Sequence, residues 1–79
     1  MEINYEKEVA AVLLNGRISE TITQRFGDGD RADVVRSDVV REFGSRAKLW
    51  ADQQRSSDGI AAHIKDKLEP DALQYLMER

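Results

Sequence analysis

The sequence predicts a mainly α fold: a short N-terminal strand, two helices and a helical C-terminal tail, with an all-α small helical bundle as the alternative. Three observations carry this. Ile18, Ile22 and Phe26 form a ladder at four-residue spacing. Val35, Val39, Phe43, Ala47 and Trp50 form a second, at spacings of four, four, four and three. Between them, GDGD leaves room only for a turn. Residues three and four apart share a helix face, so each ladder marks an amphipathic helix. A short link makes the two helices neighbours in one domain.

The first element, EKEVAAVLLNG, is open to two readings. It is either a helix ending at Asn15-Gly16 or a strand over Val9 to Leu14, because six apolar residues in a row carry no decisive period. The next helix starts at Ser19 or just after Asn15-Gly16, and Gly27 closes it as a left-handed cap. Asp30 is the expected N-cap of the long middle helix, its carboxylate accepting the free amides of the first turn. Val34 and Val40 widen the apolar stripe of that helix. Gly44 costs it about 1 kcal/mol relative to alanine and marks a kink, a close helix contact or a break. The helix runs to Gln54 or Arg55, where SSDG interrupts it.

In the last third, Ile60, Ile64 and Leu68 (or Ala61) share a side. Pro70 restarts the chain in the first turn of a short helix, Asp71 to Glu78, with Leu73, Leu76 and Met77 inward. The expected organisation is a helical dimerisation and DNA-binding-like module at 1–55 and an acidic interaction segment at 56–79 that folds on a partner.

Composition excludes more than it assigns. Seventy-nine residues make one small domain, whose thin core makes self-association a common source of stability. With no cysteine there is neither a disulfide nor a thiolate metal site. His63, the single histidine, cannot anchor a common zinc site. A calcium loop starting at Asp28 would need glycine and glutamate where Asp33 and Val39 stand. No phosphate-loop or nucleophile-elbow motif occurs. The expectation is a protein that is not an enzyme and uses no metal or cofactor. No apolar run reaches the roughly 20 residues of a membrane span, and the acidic N-terminus is unlike a signal peptide, so a soluble cytoplasmic protein is expected.

The net charge is −3, unevenly distributed. Residues 28–55 carry six of the twelve basic residues against six acids, whereas 56–79 carry three bases and five acids. A DNA-facing surface therefore fits the middle of the chain, and the tail fits a basic protein. Arg31, Arg36 and their basic neighbours interleave with acids, as on any ion-paired helix face. The functional reading adds Arg31 and Arg36 to the exposed amides of a helix start as phosphate contacts. Trp50 reads as core or as a partner anchor, tryptophan being enriched at binding hot spots. Ile60, Ile64, Leu73 and Leu76 are the other candidate partner-binding residues.

The stretch LLNGRISETITQRFGDGDRADVVRSDVVREF resembles the ribbon-helix-helix DNA-binding family. Asp30-Arg31-Ala32-Asp33-Val34-Val35-Arg36 is similar to the opening of that family's second helix, Ile18, Ile22 and Phe26 to the ladder of its first, and Gly27 to its turn. The resemblance implies an obligate homodimer whose paired strands lie in the major groove. Lys7 would then be the nearest polar residue to the base-reading face, since Val9, Ala11 and Leu13 touch thymine methyls but cannot hydrogen-bond base edges. RAKLWADQQRSSDGIAAHI further resembles the region after the second helix in Ccd-type antitoxins, which implies autorepression by the dimer and neutralisation of a toxin by the tail.

Two functions from different classes follow. One is a homodimeric repressor or antitoxin that binds DNA and a toxin. The other is an all-helical inhibitor or interaction module from a mobile element, of phage type, that binds no DNA and covers the surface of a nucleic-acid-binding protein. A helix-turn-helix built from ISETITQRF and DRADVVRSDVV is a third option that shares the DNA expectation.

Overall fold

The computed structural model describes residues 3–79, and among these there is no strand. The element order is α1 (Tyr5–Leu13), α2 (Arg17–Phe26), α3 (Asp30–Gln54), α4 (Ile60–His63), a π turn (Ile64–Leu68) and α5 (Glu69–Met77). The all-α alternative is therefore the observed class, and the ribbon-helix-helix expectation is corrected at its first element. Residues 9–14, expected as a strand in that reading, lie in α1 and the residue that closes it.

The reason is local and tertiary at once. Asn4 has an extended backbone, and its side chain accepts the Lys7 amide at 3.0 Å, which caps the helix and satisfies a first-turn donor. Glu6 and Glu8 sit favourably at the positive end of the helix dipole. Val9 and Leu13, four apart, are fully buried, and α1 lies along α3 and also touches the π turn. A strand would have pointed Val9 and Leu13 outward on the unpaired face.

The second helix buries Ile18 and Ile22. It ends at Gly27, whose φ of +83° suits glycine and whose amide donates to the Thr23 carbonyl at 2.9 Å. Asp30 is not the N-cap of α3. Gly29 occupies that position without a side-chain bond, and Asp30 is the first helical residue, acting on the dipole instead.

The middle helix is unbroken for 25 residues, through Gly44. Its buried ladder of Val35, Val39, Phe43, Ala47 and Ala51 keeps four-residue spacing. Each such step advances about 40° around the helix. The buried face thus rotates along the helix, from the α2 side at its start to the α1 side at its end. Gly44 is the close contact: a Cβ there would lie 2.8 Å from Glu6 Cγ and 3.2 Å from Glu6 Cα.

The helix ends in a Schellman arrangement. The Ser56 amide donates to the Ala51 carbonyl at 3.1 Å and the Arg55 amide to the Asp52 carbonyl at 3.2 Å. That closure needs a left-handed residue, and here it is Arg55, with φ +56° and ψ +30°. Arg55→Gly is expected to stabilise the protein by up to about 1 kcal/mol, since it removes the Cβ penalty of this conformation. Chemical denaturation measures it, and an unchanged or lowered midpoint would mean that the arginine side chain compensates.

The C-terminal run is one helix with a wide turn inside it. Ile60, Ile64, Leu68, Ala72 and Leu76 are all buried, each four residues after the last. In an uninterrupted α-helix this series would drift by about 160°, almost to the opposite face. The π turn, closed by the Glu69 amide on the Ile64 carbonyl, takes up one extra residue and returns the series to the core. It also meets the need of Pro70, which has no amide and crowds the carbonyl four residues back, at Asp66 inside the turn.

These residues join Val9, Leu13, Ile18, Ile22, Val35, Val39 and Phe43 in one buried cluster, with Trp50, Leu73 and Tyr75 packed against it. The 56–79 segment thus shares its core with the rest of the chain. No helix of the described residues is long and apolar enough to cross a membrane.

Candidate functional site

The helix ends of α2, α3 and α5 converge at one corner. Phe26, the last residue of α2, is half-buried and lines an open hollow of about 450 Å³ with Arg31, Val34, Val35 and Arg79. The Arg31 guanidinium lies 5.4 Å from the centre of the Phe26 ring and the Arg25 guanidinium 5.9 Å, both within reach of a cation–π contact. Arg25 also meets the Met77 sulfur at 3.7 Å, which ties α2 to the end of α5. Arg79 pairs with Asp38 at 2.9 Å and donates to the Tyr75 hydroxyl at 3.0 Å.

Two apolar side chains of the corner face solvent, Val34 at 57% exposure and Met77 at 65%. Both correct the sequence expectation. Val34 does not widen the buried stripe, because it sits about 100° from Val35 on a helix whose core face is narrow at that level. Met77 does not point inward: Leu76 takes the core position, and the next residue turns away.

The candidate DNA-contacting residues do not form one surface of free cations. Lys7 is exposed on α1 and Arg31 is in the first turn of α3. Arg36 is engaged within the chain, donating to Asp33 Oδ1 at 3.2 Å and to Thr23 Oγ1 at 3.1 Å. It thereby fastens α3 to α2. The helical α1 leaves no ribbon to enter a groove.

Of the candidate partner-binding residues, Ile60, Ile64 and Leu76 lie in the buried core, and Leu73 is half-buried against it. Trp50 is half-buried and stacked on His63, with ring centres 4.3 Å apart and planes 11° from parallel. Burial holds His63 below its ordinary pKa; Lys67 acts in the same direction and Asp71 against both. The neutral imidazole is thus the form that the fold favours. This contribution to stability is complete above the free-imidazole value of about 6.5 and is lost as pH falls through the lowered folded value. Because protonated imidazole quenches a stacked indole, Trp50 fluorescence is expected to drop on acidification with a midpoint below that of free histidine. A midpoint at or above that value would contradict the stacked, desolvated geometry.

A second hollow, of about 530 Å³, lies between the start of α1 and the end of α3. Its walls mix Lys48 and Arg55 with Asp52, and no unpartnered buried polar atom points into it. Leu49, at 60% exposure, stands on α3 away from both hollows. Among the described residues no three His, Asp or Glu side chains come together in a metal-sized group.

The sequence singles out Arg31; Arg25, Phe26, Val34, Met77 and Arg79 become a site only through the fold. The available signal was a valine off the buried ladder and a methionine one residue past the last core leucine. Comparison with protein-family models, with curated proteins and with solved structures finds no match for the chain.

Proposed function

We propose that this chain is an all-helical protein-interaction module, acting as an inhibitor or adaptor, and that it docks its partner through the α2–α3–α5 corner without binding DNA. The observation that carries the reading is the pair of exposed apolar side chains, Val34 and Met77, set around the half-buried Phe26 and edged by arginines. Arginine, methionine and aromatic residues are the types enriched where proteins meet. A small domain gains nothing in stability by holding such side chains in water, and a partner that covers them does.

The repressor reading rested on a paired strand that is a helix in this fold. The helix-turn-helix option keeps its two helices, and DNA binding at low salt tests it directly, because phosphate contacts strengthen steeply as salt falls.

The experiment places a photo-crosslinking amino acid at position 34 or 77, and, as controls, at the exposed polar positions 24 or 45, in the cells that encode the protein. The expected result is a discrete adduct with another protein from 34 and 77 only, and no retention of duplex DNA at low salt. Equal adducts from all four positions, no adduct from any, or tight DNA retention would overturn the proposal.

A further inference from the structure

We infer that the corner is an arginine clamp for an acidic protein segment, an inference that rests on the corner being the docking site. An aliphatic or aromatic side chain of the partner seats on Phe26 and Val34, and carboxylates flanking it take the guanidiniums of Arg25 and Arg31.

Those two arginines differ in state from the ion-paired ones. Arg36, Arg46 and Arg79 each have a carboxylate within 3.2 Å. Arg25 and Arg31 have none within ion-pairing distance among the described residues, a state they share with seven further bases, and what sets the two apart is the ring they share. Both are held against the same ring, and Arg25 also against the Met77 sulfur.

The two side chains are also preorganised. A free arginine side chain loses much rotamer freedom when it binds, and contact with an aromatic ring restricts it beforehand. Apart from Arg25 Nη1, which meets the Met77 sulfur, the guanidinium donors of the two arginines have no hydrogen-bond acceptor among the described residues, which leaves them for bidentate contact with a carboxylate.

The surrounding charge favours a protein over a nucleic acid. Asp28, in the turn between α2 and α3, and Asp30, the first residue of α3, immediately precede Arg31 in sequence. A phosphodiester backbone, charged at every unit, would run its charge past those carboxylates. A pair of partner carboxylates over Arg25 and Arg31 meets the same repulsion with two charges rather than a continuous run. The apolar floor also has no use for a phosphate and does accept a side chain.

The test uses the full chain, labelled with nitrogen-15, and two synthetic peptides with the same apolar centre: Asp-Glu-Leu-Phe-Glu-Asp and Lys-Lys-Leu-Phe-Lys-Lys. The acidic peptide is expected to move the amide signals of Phe26, Val34 and Met77 and to bind at least about tenfold more tightly than the basic one, since like charges across an interface are penalised. The exposed double variant Arg25→Glu/Arg31→Glu is expected to invert that preference while its helical circular dichroism is unchanged. Equal binding of both peptides removes the clamp but leaves the docking corner standing. Preference for the basic peptide overturns the clamp. So do signal changes that follow protein concentration alone, which would seat a second copy there, and corner shifts caused by duplex DNA. No response to either peptide also removes the clamp, and the crosslinks from positions 34 and 77 then decide separately whether the corner docks a protein at all.

Discussion

Phe43→Ala is expected to destabilise the protein by about 3–5 kcal/mol, the usual cost of emptying a buried phenylalanine site. At about 0.05–0.15 kcal/mol per residue, a chain of this length has roughly 4–12 kcal/mol in total, so the variant approaches the unfolding limit. Phe43 heads the fully buried side chains by size. It meets Tyr75 edge-on, with ring centres 5.7 Å apart, and carries the Arg46 guanidinium 4.5 Å from its centre. Its loss therefore uncouples α5 from α3 as well as opening a cavity. Urea unfolding followed by circular dichroism measures the effect. A loss below about 1 kcal/mol would mean that the neighbouring side chains collapse into the space.

The adjacent position is expected to fail for the opposite reason. Propensity alone makes Gly44→Ala a gain of about 1 kcal/mol in a helix interior. Packing reverses the sign, because the added methyl meets Glu6 backbone atoms at 3.2 and 3.3 Å as well as its side chain at 2.8 Å. The Glu6 side chain can swing aside, but its backbone moves only if α1 moves. The expected result is a net loss of about 1–3 kcal/mol, as for other overpacked sites, and a melting temperature lower by several degrees. A stabilised Gly44→Ala would show that α1 gives way freely. Glu6→Ala in the same background separates the two contacts, since it relieves the side-chain clash and leaves the backbone one.

These neighbours also show what could be read in advance. Val35, Val39 and Phe43 repeat with a helix period, which places them on one face directly. The role of Gly44 was open among kink, close contact and break, and only the position of α1 decides between them. The first helix was ambiguous because its apolar run has no period of its own; what fixes it is the Asn4 side chain on the Lys7 amide and the burial of Val9 and Leu13 against α3. The resemblance to a strand-bearing family rested on α2 and α3, both of which are helices here, and had no hold on the segment before them.

The corner was harder to foresee. Its parts come from residues 25–38 and 75–79, and contacts such as Arg25 to Met77 and Arg79 to Asp38 join positions 52 and 41 apart in sequence. A periodicity argument is local and does not pair such positions. Their meeting is decided by how three helix ends are brought together by the shared core.

The wide turn at Ile64–Leu68 gives the surface beyond it a phase. Because the turn already absorbs one extra residue, deleting one there, Lys65 for example, would let it close as ordinary α-helix with every later position keeping its face, whereas one further residue inserted there finds no such slack and would rotate every later position by about 100°. Leu76 would leave the core, and Met77 and Arg79 would swing off the corner, although none of them had been changed. The composition of the docking surface is thus set about ten residues upstream, by a single count. A one-residue deletion in this turn thus leaves the face beyond it in place, and a one-residue insertion is a change of face.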